Sequence, residues 1–210
     1  MDVILDGERR ALDTSDCANL AELIAMAERS STEDEDRVVV SIEIDGQALP
    51  PDDLGALEGR GLDGIGRVAI ERRPTRAVAC SVLRQGADYS RQIVLAIDQT
   101  VAQFRGGRAD RANALLADVT DSLTVLTGIT GSVAVALPQA AASLAELQHA
   151  LFPWLEALVE AQTAEDPLGI ADLLEYEIRD RIASWGDVMC AQADLAEAAP
   201  STPGGPVVSN

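Results

Sequence analysis

The chain has no lysine: all 16 of its basic side chains are arginines, set against 35 acids and a single histidine. That absence excludes Schiff-base chemistry, a P-loop lysine and lysine acylation. The lone His149 removes most catalytic triads and acid–base pairs, which need an imidazole beside a second placed group. Cysteine is scarce and odd in number. Cys17, Cys80 and Cys190 stand far apart with no CxxC spacing, so neither a disulfide framework nor a zinc knuckle is suggested, and a reducing cytoplasm fits best. Aromatics make up 3% of the residues, and none precedes Tyr89. No apolar run approaches the ~18 residues of a membrane span. Met1-Asp2-Val3 lacks the basic n-region of a signal peptide. The expectation is a cytoplasmic protein without membrane insertion.

What is present is negative charge, −19 in net. Nucleic acid and anionic membrane are disfavoured, since both need a basic surface to neutralise their phosphates. A basic protein partner is compatible, because complementary fields steer association. An acidic surface also keeps a protein soluble, so charge alone assigns no function.

The apolar pattern changes period near Pro74. Residues 1–73 read as strand, strand, helix, strand, short strand and strand. Val3-Ile4-Leu5 and Arg10-Ala11-Leu12 flank Asp6-Gly7, a hairpin signature. Ser15 or Asp16 can cap a helix carrying Leu20, Leu23, Ile24 and Ala27, and Ser30–Asp36 reads as a solvated acidic loop. Val38–Ile44 is the best strand, with Val38, Val40, Ile42 and Ile44 on one face. Asp45-Gly46 turns it into Gln47–Leu49, Pro50-Pro51 stops that strand, Asp52 or Asp53 caps a turn through Leu54 and Leu57, and Val68–Arg72 closes the set.

Residues 75–192 read as four amphipathic helices, for which an antiparallel up-down bundle is the simplest packing. The first carries Val78, Val82, Tyr89, Ile93, Ile97, Val101 and Phe104, loosened at Gly86 and ended by Gly106-Gly107. The second runs from Ala112 to Leu126 and stops near Gly128–Gly131. Val133–Leu137 is ambiguous; Pro138 either opens a third helix at its first turn or bends one already begun, and that helix is expected to kink at Pro153. Asp166-Pro167 opens a fourth with Ile170, Leu173, Leu174, Ile178, Ile182, Trp185 and Met189 along one stripe. Glu175 with Arg179 and Glu177 with Arg181 are acid-before-base pairs at helical spacing. Residues 199–210, rich in Pro, Gly and Ser, read as a disordered tail. The fold class expected is therefore α+β: a sheet domain followed by a helical bundle of about four helices.

Motifs fail in context. Gly59-Arg60-Gly61-Leu62-Asp63-Gly64 matches G-x-G-x-x-G, yet it precedes a strand, whereas the dinucleotide motif opens a helix. Glu146-Leu147-Gln148-His149 matches the Glu-x-x-His of di-iron bundles, which need that pattern twice. Cys80 has Arg76 and Arg84 four residues to either side, but a buried inert thiol is the simpler reading. No catalytic, metal or cofactor-binding residue is assigned, and no cofactor is expected. Of the aromatics, most are expected in the core. Phe152, Trp154, Tyr176 and Trp185 are the candidates for partner contact, and in Phe152-Pro153-Trp154 three bulky residues cannot share one side of a helix.

The hairpin, crossing helix and further strands of residues 1–73 resemble the β-grasp fold of ubiquitin-like domains. The carboxyl end continues into Arg73-Pro74 and a helix, so the resemblance implies a scaffold and no conjugation chemistry. Residues 75–192, small, acidic and helical, resemble flagellar and type III secretion export chaperones, which hold partner segments against apolar helices. The whole also resembles bacterial proteins that join "IDG…L…L" strands to helices like Ala171–Ile178, without implying an activity. The expected function is a non-enzymatic protein–protein adaptor or regulatory subunit. Its partner would be basic or present an apolar helix, and a homodimer is compatible. The alternatives are an export-chaperone-like protein and an enzyme using carboxylates or a metal, which would need acids buried in a pocket.

Overall fold

The computed structural model describes residues 1–10, 17–29, 36–49, 57 and 59–199. The fold is α+β, a five-stranded mixed sheet with one helix followed by a helical region. It divides into two compact units, Met1–Ala77 and Val78–Ala199. Expectations for Ala11–Asp16, the acidic loop up to Glu35, Pro50–Leu54 and the tail past Ala199 fall outside the described residues.

In the first unit β1 (Asp2–Leu5) and β2 (Glu8–Arg10) form one hairpin, and β3 (Arg37–Ile44) and β4 (Gln47–Ala48) form another. Between the hairpins lies α1 (Leu20–Arg29), and β5 (Arg67–Pro74) comes last. The sheet order is β2-β1-β5-β3-β4, with β1 and β5 parallel and the other pairs antiparallel. Leu20, Leu23, Ile24 and Ala27 bury one face of α1 against Val3, Leu5, Ile42, Ile44, Val68 and Ile70.

Both hairpins turn on Asp-Gly with both residues left-handed: φ is 54° and 83° at Asp6-Gly7, 50° and 83° at Asp45-Gly46. That geometry matches the twist of the flanking strands. Each aspartate also reaches the central strand. Asp6 Oδ1 accepts the Arg72 N–H at 2.7 Å, while its Oδ2 accepts from Arg72 Nη2 at 2.8 Å. Asp45 Oδ1 accepts the N–H groups of Gly66 at 3.0 Å and Arg67 at 2.8 Å. The two turns thus pin β5 at both ends. The buried Arg72 guanidinium also donates from Nη1 to the Ala27 carbonyl at 2.6 Å, fastening α1 to the sheet.

Two local features were not expected from the sequence. Ser15 and Asp16, the expected caps of α1, lie outside the described residues, and the described cap is Asn19. Its Oδ1 accepts the Glu22 N–H at 2.9 Å, and Glu22 Oε2 accepts the Ala18 N–H at 2.7 Å, a reciprocal arrangement like a capping box. In β3 the register shifts between Val39 and Ser41. This bulge takes Val40 out of the buried face, where it is exposed, and Val39 packs on the core instead.

Burial pushes the Asp6 carboxyl up, but the hydrogen bonds from the Arg72 side chain and backbone, with the charges of Arg72 and Arg37, outweigh it and hold Asp6 below its ordinary value. A carboxylate depressed in the folded state stabilises above its unfolded pKa, and that contribution is lost as pH falls through the folded value. Asp6→Asn, which keeps the left-handed turn, should cost about 1–2 kcal/mol near neutral pH. It should also flatten the acid limb, read by hydrogen exchange of β5 amides. Equal acid sensitivity in both proteins would refute this.

The second unit holds most of α2 (Thr75–Arg105), then α3 (Ala109–Ala136), α4 (Pro138–Thr163), α5 (Pro167–Asp172), a π-helical segment (Leu173–Ile178) and α6 (Arg179–Ala198). Buried residues recur every seventh position. On α2 these are Ala79, Gly86, Ile93, Thr100 and Leu83, Ser90, Ile97, Phe104. On α3 they are Ala112, Val119, Leu126, Val133 and Leu116, Leu123, Thr130; on α4, Leu144, Leu151 and Leu158. Such a repeat, at 3.5 residues per turn, is that of left-handed antiparallel bundles. The α2–α3 joint closes as expected at Gly106-Gly107. Gly107 is left-handed, and the Arg108 and Gly107 N–H groups reach back to the Gln103 and Phe104 carbonyls in a Schellman motif.

Val78, Val82 and Tyr89 were expected on the buried stripe of α2 but are only half-buried; small residues take the centre. A Cβ at Gly86 would lie 2.9 Å from Met189 Sδ, and one at Gly186 would lie 2.7 Å from Ser90 Oγ. Gly86 is therefore a close packing contact and does not interrupt α2. The expected stop of α3 at Gly128–Gly131 is also corrected, since the helix continues to Ala136 and absorbs the ambiguous stretch. Burial of Leu126, Thr130 and Val133 outweighs the ~1 kcal/mol that each glycine costs in a helix interior. By length and composition α3 is apolar enough to cross a membrane. A count of uninterrupted apolar residues missed this, because Thr, Ser and Gly are interspersed. Here α3 belongs to the bundle, and Gln148 of α4 donates to Thr130 Oγ1 at 2.7 Å.

Alanine for glycine inside a helix ordinarily stabilises. Gly186→Ala should instead destabilise by about 1–3 kcal/mol through overpacking. Ser90→Ala should restore part of that loss in the double variant. Trp154 and Trp185 both lie in this unit, so tryptophan fluorescence during urea unfolding reads the effect.

Candidate functional site

Asp166 and Pro167 open α5 as the sequence suggests. Asp166 Oδ1 accepts the Gly169 N–H at 2.9 Å, and a Cβ at position 169 would meet that carboxylate, which would have to turn to admit it. Beyond it the buried residues Ile170, Leu174, Ile178 and Ile182 are spaced four apart throughout, not four and three in alternation. This is one residue more than the heptad accommodates. The π segment Leu173–Ile178 absorbs the surplus with a widened turn, so that Trp185, Met189, Ala193 and Ala196 return to the core.

The widened turn and the end of α4 border a cleft of about 560 Å³. Its functional side chains are Trp154 and Glu160 from α4, Asp166 and Asp172 from the cap and end of α5, and Tyr176 and Glu177 from the π segment. Ala157, Ala161 and Ala164 add little bulk along the α4 side. Tyr176 is 63% exposed. Arg181 stands over the Trp154 ring, 4.6 Å from its centroid, and its Nη1 donates to Glu177 Oε2 at 2.9 Å. Asp172 accepts from Arg105 Nη2 at 2.8 Å. The lining therefore holds four carboxylates and two aromatic rings, and no arginine is part of it. Chemically it suits a cation, which the ring faces and the acids both attract.

The helical acid–base pairs are realised in part. Glu177 and Arg181 meet, but Glu175 pairs with Arg105 and Arg179 with Asp98 and Asp180. Hydrogen bonding to Glu175 first, then to Asp172, raises the Arg105 pKa against burial, and bonds to Asp98 and Asp180 raise that of Arg179. Arg84 turns to Asp194 and Glu197, not to the Cys80 thiol, which is buried with its Sγ 3.6 Å from the Ala193 carbonyl.

Of the four aromatic candidates, Trp154 and Tyr176 come together in the cleft. Phe152 is exposed on α4 outside the lining, and two residues from Trp154 on a helix place it on another side. Trp185 does not reach the surface: it is 1% exposed, and its Nε1–H has no acceptor among the described residues. The cleft acids were not singled out in the sequence, because acids are plentiful throughout. The signal that marks them is the four-residue spacing of the π segment. His149 and Glu146 are exposed on α4, and among the described residues no group of three or more His, Cys, Asp or Glu could hold a metal ion. Gly59–Gly64 leads into β5, with Gly64 left-handed.

Deleting Tyr176 should convert the π segment to regular α-helix and leave the core in register, with stability within about 1 kcal/mol of the parent. Deleting Ala183 instead turns Trp185, Met189 and Ala193 by about 100°. That variant should unfold at far lower denaturant. Equal damage from both deletions would exclude a surplus residue in the π segment.

No curated protein and no solved structure matches the chain. Residues 81–188, a little over half of it, match the family model described as Domain of unknown function (DUF8042). The match begins within α2 and ends within α6, taking in the π segment and the cleft. The chain belongs to the DUF8042 family.

Proposed function

We propose that the protein is a non-enzymatic adaptor or regulatory subunit that holds a basic segment of a partner protein in the cleft beside the π segment. The observation that carries this is the lining, in which Trp154 and Tyr176 stand among four carboxylates with no arginine. A guanidinium already sits against one side of it, since Arg181 stacks on Trp154 and pairs with Glu177. Glu160 has no ion-pair partner among the described residues and is available to a second cation. The surrounding negative charge would speed encounter with a basic surface.

The first unit reads as a β-grasp-type head. Its strand order, its parallel β1–β5 pair and the packing of α1 on the sheet support that reading. Because β5 ends at Pro74 and α2 begins at Thr75, the head has no free tail after its last strand, in keeping with a scaffold. The chaperone alternative calls for a long apolar groove, whereas the apolar columns of the body close on one another. The enzyme alternative calls for converging buried acids, whereas Asp166 serves as a cap and Asp172 and Glu177 pair with arginines.

Titration of the full chain with a short arginine-rich peptide, followed by calorimetry and tryptophan emission, tests the proposal. The peptide should bind, and its citrulline counterpart should not. Glu160→Gln with Tyr176→Ala should weaken binding about fivefold, the equivalent of ~1 kcal/mol. Asp118→Asn with Asp121→Asn, which removes two charges from α3 where the first pair removes one, should change it little. Equal weakening by the two pairs would reduce the cleft to part of a diffuse acidic surface and overturn the proposal.

A further inference from the structure

Between Asp121 and Glu146 the sequence carries no charged residue, in a chain of which 24% is charged. This stretch comprises the second half of α3, the turn at Leu137 and the start of α4. The outward side of α3 carries Val125 and Val135, 53% and 84% exposed, with Gly128, Gly131 and Ser132 also exposed between them. A Cβ at either glycine would meet nothing within 4 Å. Only 28% of the most apolar window of α3 is buried.

We propose that this face joins two copies of the chain, α3 packing antiparallel on α3 about a two-fold axis near Thr130. Charge selects a second copy as the occupant. Two bodies of net charge −19 repel wherever their acids meet, and the uncharged face lets them approach with least repulsion. The stripe is also self-complementary, as an isologous contact must be. Pairing about position 130 sets Val125 against Val135 of the partner subunit and Gly128 against Ser132 of the partner subunit, and the position opposite Asp121 falls past Ala136, where α3 ends. No acid then faces an acid. The glycines let the two backbones come close, which gives these helix-weakening residues a role that the single chain does not. A basic partner would be drawn to the acidic surface instead, and anionic lipid would be repelled by the exposed Asp118, Asp121 and Glu146 at the margins. The inference concerns a different face from the cleft and does not depend on the adaptor reading.

Sedimentation velocity of the full chain, from low micromolar to sub-millimolar concentration, tests it. The expected result is a reversible dimer that tightens as salt screens the repulsion, the opposite of what an ion-paired interface would do. Val135→Glu should weaken the dimer at least about tenfold. Ser132→Arg provides a second probe should the first fail to fold by circular dichroism. A monomer at every concentration in high salt would overturn the proposal, as would a dimer indifferent to both substitutions. Binding to phosphatidylcholine vesicles that is lost in Val135→Glu, without dimerisation in solution, would assign the face to lipid and likewise overturn it.

Discussion

The seven-residue repeat of the body is the constraint on which its other features depend. Apolar and small side chains recur in columns along α2, α3 and α4, and a column holds its face only while successive contacts keep the 3.5-residue period. Gly86 and Gly186 admit Met189 and Ser90, setting how near α2 and α6 lie there. The same register carries polar groups. Arg84 meets Asp194, Asp98 meets Arg179 and Arg105 meets Asp172, an antiparallel series running the length of α2. An extra residue in such an arrangement must be absorbed or it turns every later side chain out of the core. The π segment absorbs it, and in doing so places Tyr176 and Glu177 at the cleft. The candidate site is thus a consequence of how the bundle keeps its period.

The sheet unit solves a different problem, since five short strands and one helix make only a small core. Its central strand is held by side chains from two turns. Asp6 and Asp45 occupy equivalent places in their hairpins, each left-handed and each accepting from β5 backbone amides. A buried arginine is costly unless its donors are satisfied. Arg72 is satisfied by Asp6 on one side and the Ala27 carbonyl on the other, so the same charge orders the sheet and the helix.

The order of elements was legible because it rests on signals that act locally. Two Asp-Gly turns, the Gly106-Gly107 stop and the Asp166-Pro167 start each fix backbone geometry over a few residues, and each is where the sequence placed it. What was not legible depends on partners distant in sequence. Val40 reads as buried by alternation, and only the bulge against β5 shows that Val39 takes its place. Gly86 reads as a loosening of the helix, because the residue that fills the space, Met189, lies about a hundred positions away. Gly128 and Gly131 read as a stop because propensity was weighed without the burial of Thr130 and Val133. Trp154 and Tyr176 were singled out as rings, but the acids around them gain meaning only when the widened turn gathers them.

The absence of lysine acquires a structural sense once the ion pairs are traced. With 35 acids to 16 arginines, few carboxylates could have a cation of their own. In the body one guanidinium often serves two acids: Arg84 bridges Asp194 and Glu197, Arg105 bridges Asp172 and Glu175, and Arg179 bridges Asp98 and Asp180. A planar fork with five donors can hold two carboxylates at fixed angles, whereas an ammonium on a flexible stem is a point charge with less geometric hold on either. Exposed pairs of this kind add little stability, so their main effect is to fix which helical faces meet. Glu160, beside Trp154 and Tyr176, is one of the acids left without an ion pair among the described residues, and charge of either sign is absent from α3 past Asp121. The two proposed surfaces are thus unlike in composition, one lined by acids and rings and one without charge.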